Sequence, residues 1–235
     1  MEELKMGWSK EWEDTYRTGS HLSIWPWSDM VSYVMRYCRP FPPGFKVLEL
    51  GCGAGANIPF FLKMDIDYYA IEGSATIVER LIDTYPSLES KIAVGDFTKE
   101  IPFEEQFDLV IDRASLTTNR TKDITASIDI LKTKMKANAK FIGIDWYSTD
   151  HSEFQKGEQA EDFYTRAGYK TGEFADIGRV HFSDKEHLLQ LFSSFEIVLM
   201  EQKLIKKEVP ADEKVSATWN FVAELKETIE KGVSV

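Results

Sequence analysis

The chain has 235 residues, 43% of them hydrophobic and 29% charged, and 39 acidic against 28 basic side chains set a net charge of −11. That length suits one domain with an ample core, and the acidic balance argues against a nucleic-acid substrate. The polar N-terminus lacks a signal-peptide core, no apolar run reaches a membrane span, and two cysteines, Cys38 and Cys52, fit a reducing cytoplasm without a disulfide or a four-cysteine zinc site.

Residues 1–27 are rich in aromatics, and Trp8, Trp12 and Tyr16 recur at i, i+4 and i+8, the spacing of one helical face. Residues 28–38 predict a helix with Ser28 as N-cap and Met30, Val31, Val34, Met35 and Cys38 facing inward. RPFPPG then breaks the chain. Residues 47–56 read VLELGCGAGA: a short apolar run of a buried parallel strand, then Gly51, Gly53 and Gly55, then a helical segment over 56–64. Residues 67–71 predict a second strand ending at Glu72, and Ser74 caps a helix through Tyr85.

A third strand over 91–94 leads into Gly95-Asp96-Phe97, and a fourth over 107–111 exits through Asp112, Arg113 and Ala114. A helix over 121–135 and a strand over 139–144, ending at Asp145, follow. Residues 146–183 form a long connection without a strong strand pattern, expected to be a lid or binding insert with some helix of its own. SDKE at 183–186 is a capping-box pattern opening a helix through Phe192. The last strands are expected over 195–200 and 218–223, with a charged, solvated linker over 201–217.

The alternation of strands and helices predicts a doubly wound α/β sheet, in which ligands sit outside the carboxyl ends of the strands. Glu49, Glu72, Asp96, Asp112 and Asp145 all fall there. A strand–glycine loop–helix lets backbone approach a ligand closely. The dinucleotide fingerprint G-x-G-x-x-G places a pyrophosphate at the helix start, but here Asn57 takes the place of its third glycine. Glu49, two residues before the first glycine, would repel a pyrophosphate and suits a cationic ligand. Glu72 is placed to accept hydrogen bonds from both ribose hydroxyls of a nucleoside, a feature common to NAD-binding domains.

The E-x-G-x-G-x-G arrangement from Glu49 to Gly55 resembles motif I of the class I S-adenosylmethionine-dependent methyltransferases. The resemblance spans about residues 40 to 225. It implies a seven-stranded Rossmann-like sheet in the order 3-2-1-4-5-7-6, with helices on both faces and the last strand antiparallel. The whole chain, 1–235, is then one methyltransferase domain, with 1–27 as an N-terminal aromatic flap and 146–183 contributing to the acceptor site. The cofactor implied is S-adenosylmethionine, leaving as S-adenosylhomocysteine, with no metal. Carried onto this sequence, Glu49, Gly51, Gly53 and Gly55 meet the cofactor's methionine end, Glu72 the ribose, and Asp96 with Phe97 the adenine. Asp112 and Arg113 are further contacts, and Tyr16 with the 22–27 turn reaches the ligand from the flap. Docking of the aromatic stripe on the domain and service as a flap stay open together.

Methyl transfer by in-line attack needs an oriented nucleophile and exclusion of water. If the acceptor is a hydroxyl, Asp145, His151 and His181 are the candidate general bases. The D/N-P-P-Y/F acceptor signature is absent after strand four, where DRAS stands, which lowers base or amide methylation. The leading reading is a small-molecule methyltransferase. An NAD-type oxidoreductase and a non-catalytic S-adenosylmethionine-binding module are the alternatives. Oligomeric state is left open.

Overall fold

The computed structural model describes residues 11–17, 22–175 and 177–226. Trp8, Gly19, Ser20 and His21 lie outside them. Helix α1 (Glu11–Arg17) carries Trp12 and Tyr16 with ring centroids 5.9 Å apart, and Tyr16 is buried. Helix α2 (Ser28–Tyr37) begins one residue earlier than expected. Trp27 occupies the cap position and no side chain caps the helix, so Ser28 is its first helical residue. Met30, Tyr33 and Val34 are its buried face.

Strand β1 (Lys46–Leu50) lies inside the sheet, paired in parallel with β2 (Asp67–Glu72) on one side and β4 (Phe107–Arg113) on the other. The alternation of strand side chains splits its residues between two cores. Val47 joins a core with residues of α2, of α3 (Ile58–Lys63) and of α4 (Ala75–Thr84). Leu48 and Leu50 face the opposite core, shared with α5 (Thr121–Lys134). Val47, Leu48 and Leu50 are all fully buried, as expected of a strand covered on both faces. Ser74 is the N-cap of α4, its hydroxyl accepting Ile77 N–H at 3.2 Å.

The sheet runs β3 (Ile92–Val94), β2, β1, β4, β5 (Met135–Tyr147), β10 (Ala211–Leu225), β9 (Phe195–Glu208). β10 runs against both its neighbours, β5 and β9, and the other pairings of this sheet are parallel. This is the predicted order 3-2-1-4-5-7-6, the final pair being numbered β9 and β10 because three small strands precede it. Residues 201–217 are a correction: they do not form a loop but pair within an arm of β9 and β10 that turns at Val209–Pro210. Apart from the half-buried Lys203 their charged side chains are exposed, as expected, and strand pairing satisfies the backbone without a core.

Residues 148–183 also depart from expectation. Among the described residues they hold no helix but a three-stranded sheet, with β6 (Glu158–Gln159), β7 (Thr165–Ala167) and β8 (Val180–His181) in order. Phe154, Tyr169, Phe174, Val180 and Phe182 make its own small core. Helix α6 (Lys185–Leu191) starts one residue later than the capping-box reading: Asp184, not Ser183, accepts the N–H of His187, at 2.7 Å. Among the described residues no helix is long and apolar enough to cross a membrane, and Cys38 and Cys52 are both free and buried.

Candidate functional site

A cavity of about 620 Å³ opens at the carboxyl ends of β1, β2 and β4. Its floor is the loop after β1, where Gly51, Gly53 and Gly55 have φ of +62°, +49° and +78°. L side chains are strained at such angles. Space adds a second reason. A Cβ on Gly51 would lie 2.4 Å from the Cβ of Ser115, and one on Gly55 would lie 2.5 Å from Leu81. A Cβ on Gly53 would lie 3.0 Å from Tyr16 Oη, so the loop, the exit of β4 and α1 share one crowded junction.

Glu72 ends β2 beside this loop and lines the cavity. Its Oε2 accepts Gly53 N–H at 2.9 Å and its Oε1 accepts Ser74 N–H at 3.0 Å. Each oxygen retains a further lone pair. Burial pushes its carboxyl pKa up, against the pull of those backbone N–H groups.

Glu49 lies beneath the loop, 4% exposed, accepting from Asn57 Nδ2 at 2.7 Å and Tyr68 Oη at 2.6 Å. Desolvation raises its pKa to about 7. Asn57, which displaces a dinucleotide glycine in the sequence, therefore anchors this carboxylate, and its Oδ1 also accepts Trp27 N–H at 3.4 Å. Phe97 lines the cavity, whereas Asp96 is not among the lining residues. The Asp96 Oδ1 accepts Thr98 N–H at 2.9 Å, closing a local turn after β3.

The exit of β4 divides its two predicted contacts. Arg113 lines the cavity, its guanidinium 3.5 Å from the centre of the Trp27 ring and 2.9 Å from Asp145 Oδ2. Asp112 is fully buried and not in the lining. Its Oδ1 accepts Leu116 N–H at 2.9 Å and contacts Ser115 Oγ, so it organises the turn behind the cavity. Burial raises its pKa to about 6. Ala114, at φ +58°, turns the chain there in a conformation uncommon for a residue with a Cβ.

The three candidate bases lie apart. Asp145 is held between Arg113 and Lys203 Nζ, 3.0 Å away, and does not line the cavity. His181 is buried inside the insert, its Nε2 3.1 Å from His187 Nε2, and burial lowers its pKa to about 3. His151 is also buried and outside the lining, but its Nε2 lies 3.5 Å from Oε2 of Glu173, which does line the cavity. Sequence reasoning missed Glu173, Ser115 and His187, and Tyr147 appeared in it only as part of an unpatterned connection. Nothing in their local spacing marks them, because their partners come from distant parts of the chain. Among the described residues no group of three or more His, Cys, Asp or Glu side chains is placed to hold a metal ion.

Residues 47–138 match the family model described as "Methyltransferase domain". No curated protein matches the chain. Among solved structures, it is similar to an S-adenosylmethionine-dependent methyltransferase of Methanosarcina mazei, at 15% identity and a TM-score of 0.65, over 86% of this chain and 100% of that one. A methyltransferase of the same cofactor class from Clostridium acetobutylicum is similar at 13% identity and a TM-score of 0.60, over 92% and 96%. A glycopeptide N-methyltransferase complexed with sinefungin is similar at 15% identity and a TM-score of 0.55, over 86% of each chain. The match runs from β1 into the start of β5, so residues 47–138 carry a methyltransferase domain, and the sheet around them has the fold of the S-adenosylmethionine-dependent methyltransferases it resembles.

Proposed function

We propose that the protein binds S-adenosylmethionine across the glycine loop and transfers its methyl group to a small-molecule acceptor held under the insert. The observation that carries this reading is the Glu72 carboxylate, fixed by Gly53 and Ser74 N–H groups with a lone pair left on each oxygen. The residues present suit the group. The cradle is bare where side chains would fill it, the carboxylates Glu49 and Glu72 border it, and the two cations of the lining, Arg113 and Arg179, are each already paired with a carboxylate. When bound, S-adenosylmethionine supplies a methyl on an already activated sulfonium leaving group.

The roles of the chain's own residues then follow. Glu72 accepts the ribose hydroxyls, Phe97 packs against the base with Asp96 beside it, and the loop glycines admit the methionine end. Glu49, ionised in the field of a sulfonium, balances its charge from below. Tyr16, Trp12 and Trp27 close the cavity from the N-terminal side and exclude water. Arg113, tied to Asp145 and stacked on Trp27, joins that cover to the acceptor side. In this reading the chain is one domain, with residues 146–183 building the acceptor wall. Asp145 and His181 are structural, because neither lines the cavity and each is already engaged, Asp145 by Arg113 and Lys203 and His181 by His187.

Calorimetry with S-adenosylmethionine, S-adenosylhomocysteine and NAD tests the reading. Micromolar binding of the first two and not of NAD is expected. Binding of NAD alone would sink it.

A further inference from the structure

The acceptor side of the cavity carries one carboxylate, Glu173, that forms no close ion pair with a lysine or arginine among the described residues. The two cations in the lining are each neutralised from outside it. Arg113 pairs with Asp145 at 2.9 Å, and Arg179 with Glu161 at 2.5 Å. Glu173 has His151 Nε2 3.5 Å away, and Lys214 acts on it through its field without forming an ion pair. His151 is 4% exposed and its Nε2 completes no hydrogen bond. The Nδ1 of that ring accepts Glu153 N–H at 3.2 Å, which assigns the ring proton to Nε2, facing Glu173. This N–H holds the Glu173 carboxyl pKa below its ordinary value.

The surroundings favour a cation further. Tyr147 and Phe174, 4.7 Å apart and edge to face, flank Glu173 in the lining, and aromatic faces attract ammonium groups. We propose that Glu173 is the recognition site for a protonated amine on the acceptor, so that the nucleophile this enzyme orients is a nitrogen. The assignment rests on the methyltransferase reading above and names its substrate class. One oxygen of Glu173 faces His151, and the other is left to accept an ammonium N–H. At 53% side-chain exposure Glu173 also meets water, which carries off the proton that the nitrogen must shed before it has a lone pair.

The test uses the full chain saturated with S-adenosylhomocysteine and two probes of like shape, phenethylammonium and 2-phenylethanol, followed by calorimetry. The ammonium is expected to bind more tightly than the alcohol, and Glu173→Gln to weaken the ammonium alone by about tenfold, the scale of a hydrogen bond to a charged group. In turnover with S-adenosylmethionine, a panel of primary arylalkylamines is expected to release S-adenosylhomocysteine where the matching alcohols do not. Equal binding of the two probes, ammonium binding unmoved by Glu173→Gln, or turnover confined to alcohols would each overturn the proposal. S-adenosylmethionine binding by Glu173→Gln is expected to match wild type. Loss of cofactor binding in the wild-type protein instead marks failure of the methyltransferase reading itself.

Discussion

The Oε2 of Glu72 accepts the backbone N–H of Gly53 at 2.9 Å, tying the end of β2 to the glycine loop nineteen residues earlier in the chain. One carboxylate thus sets the loop's shape and presents its remaining lone pairs to the cavity. Glu72→Ala is expected to weaken S-adenosylmethionine and S-adenosylhomocysteine alike, each by about tenfold or more, since a charged hydrogen-bond acceptor is lost to both. Calorimetry measures the affinities, and a thermal melt of the ligand-free variant separates lost binding from lost folding.

Glu49 predicts that the two forms of the cofactor respond differently to pH. Its folded pKa is raised to about 7 from 4.5 by burial. A sulfonium favours the ionised carboxylate, so S-adenosylmethionine affinity is expected to rise as pH increases through about 7, with a proton released on binding below it. Neutral S-adenosylhomocysteine lacks that slope. Calorimetry in buffers of different ionisation enthalpy counts the protons, and Glu49→Gln is expected to flatten the difference. Glu49 itself favours folding most below its unfolded pKa and progressively less as pH rises toward about 7.

The bare Cα of Gly51 is required by Ser115. Gly51→Ala places a Cβ 2.4 Å from that side chain at a φ of +62°, and is expected to cost about 1–3 kcal/mol. Gly51→Ala combined with Ser115→Gly removes the clash but not the backbone strain. Denaturant unfolding of both variants is expected to show partial recovery in the double variant; no recovery would contradict the contact.

The acid limb of stability is assigned to the insert. Burial, then the neighbouring His187, lowers the pKa of His181 from 6.5 to about 3. A lowered histidine pKa means that the unfolded chain binds the extra proton, so this contribution is intact above about 6.5 and is lost as pH falls toward about 3. His181→Gln is expected to shrink the drop in melting temperature between neutral and mildly acidic solution. An unchanged drop would place the acid sensitivity elsewhere.

Much of the fold was legible locally. The helix capped by Ser74 is where its periodicity and cap predict, because both signals act within one turn. The five acidic strand ends were legible as positions, but not as roles. Glu49, Glu72, Asp96, Asp112 and Asp145 look alike in the sequence, yet only Glu49 and Glu72 line the cavity. Asp112 caps a buried turn, and Asp145 sits between Arg113 and Lys203. The arm at 201–217 was missed for a related reason. Its strands are held by backbone pairing across a hairpin, which an exposed, charged sequence does not announce.

The amino-acid sequence by itself determined the strand–loop–helix core, the conformationally permissive loop and the carboxylate at the end of the second strand. Apolar periodicity, glycine's freedom at positive φ and side-chain charge are properties of neighbouring residues. Only the tertiary structure decided which carboxylates face the cavity, which histidine stands behind Glu173, and why Asn57 and Ser115 belong to the loop. Those outcomes depend on desolvation and on hydrogen-bond partners brought together from distant segments, and no local pattern encodes them.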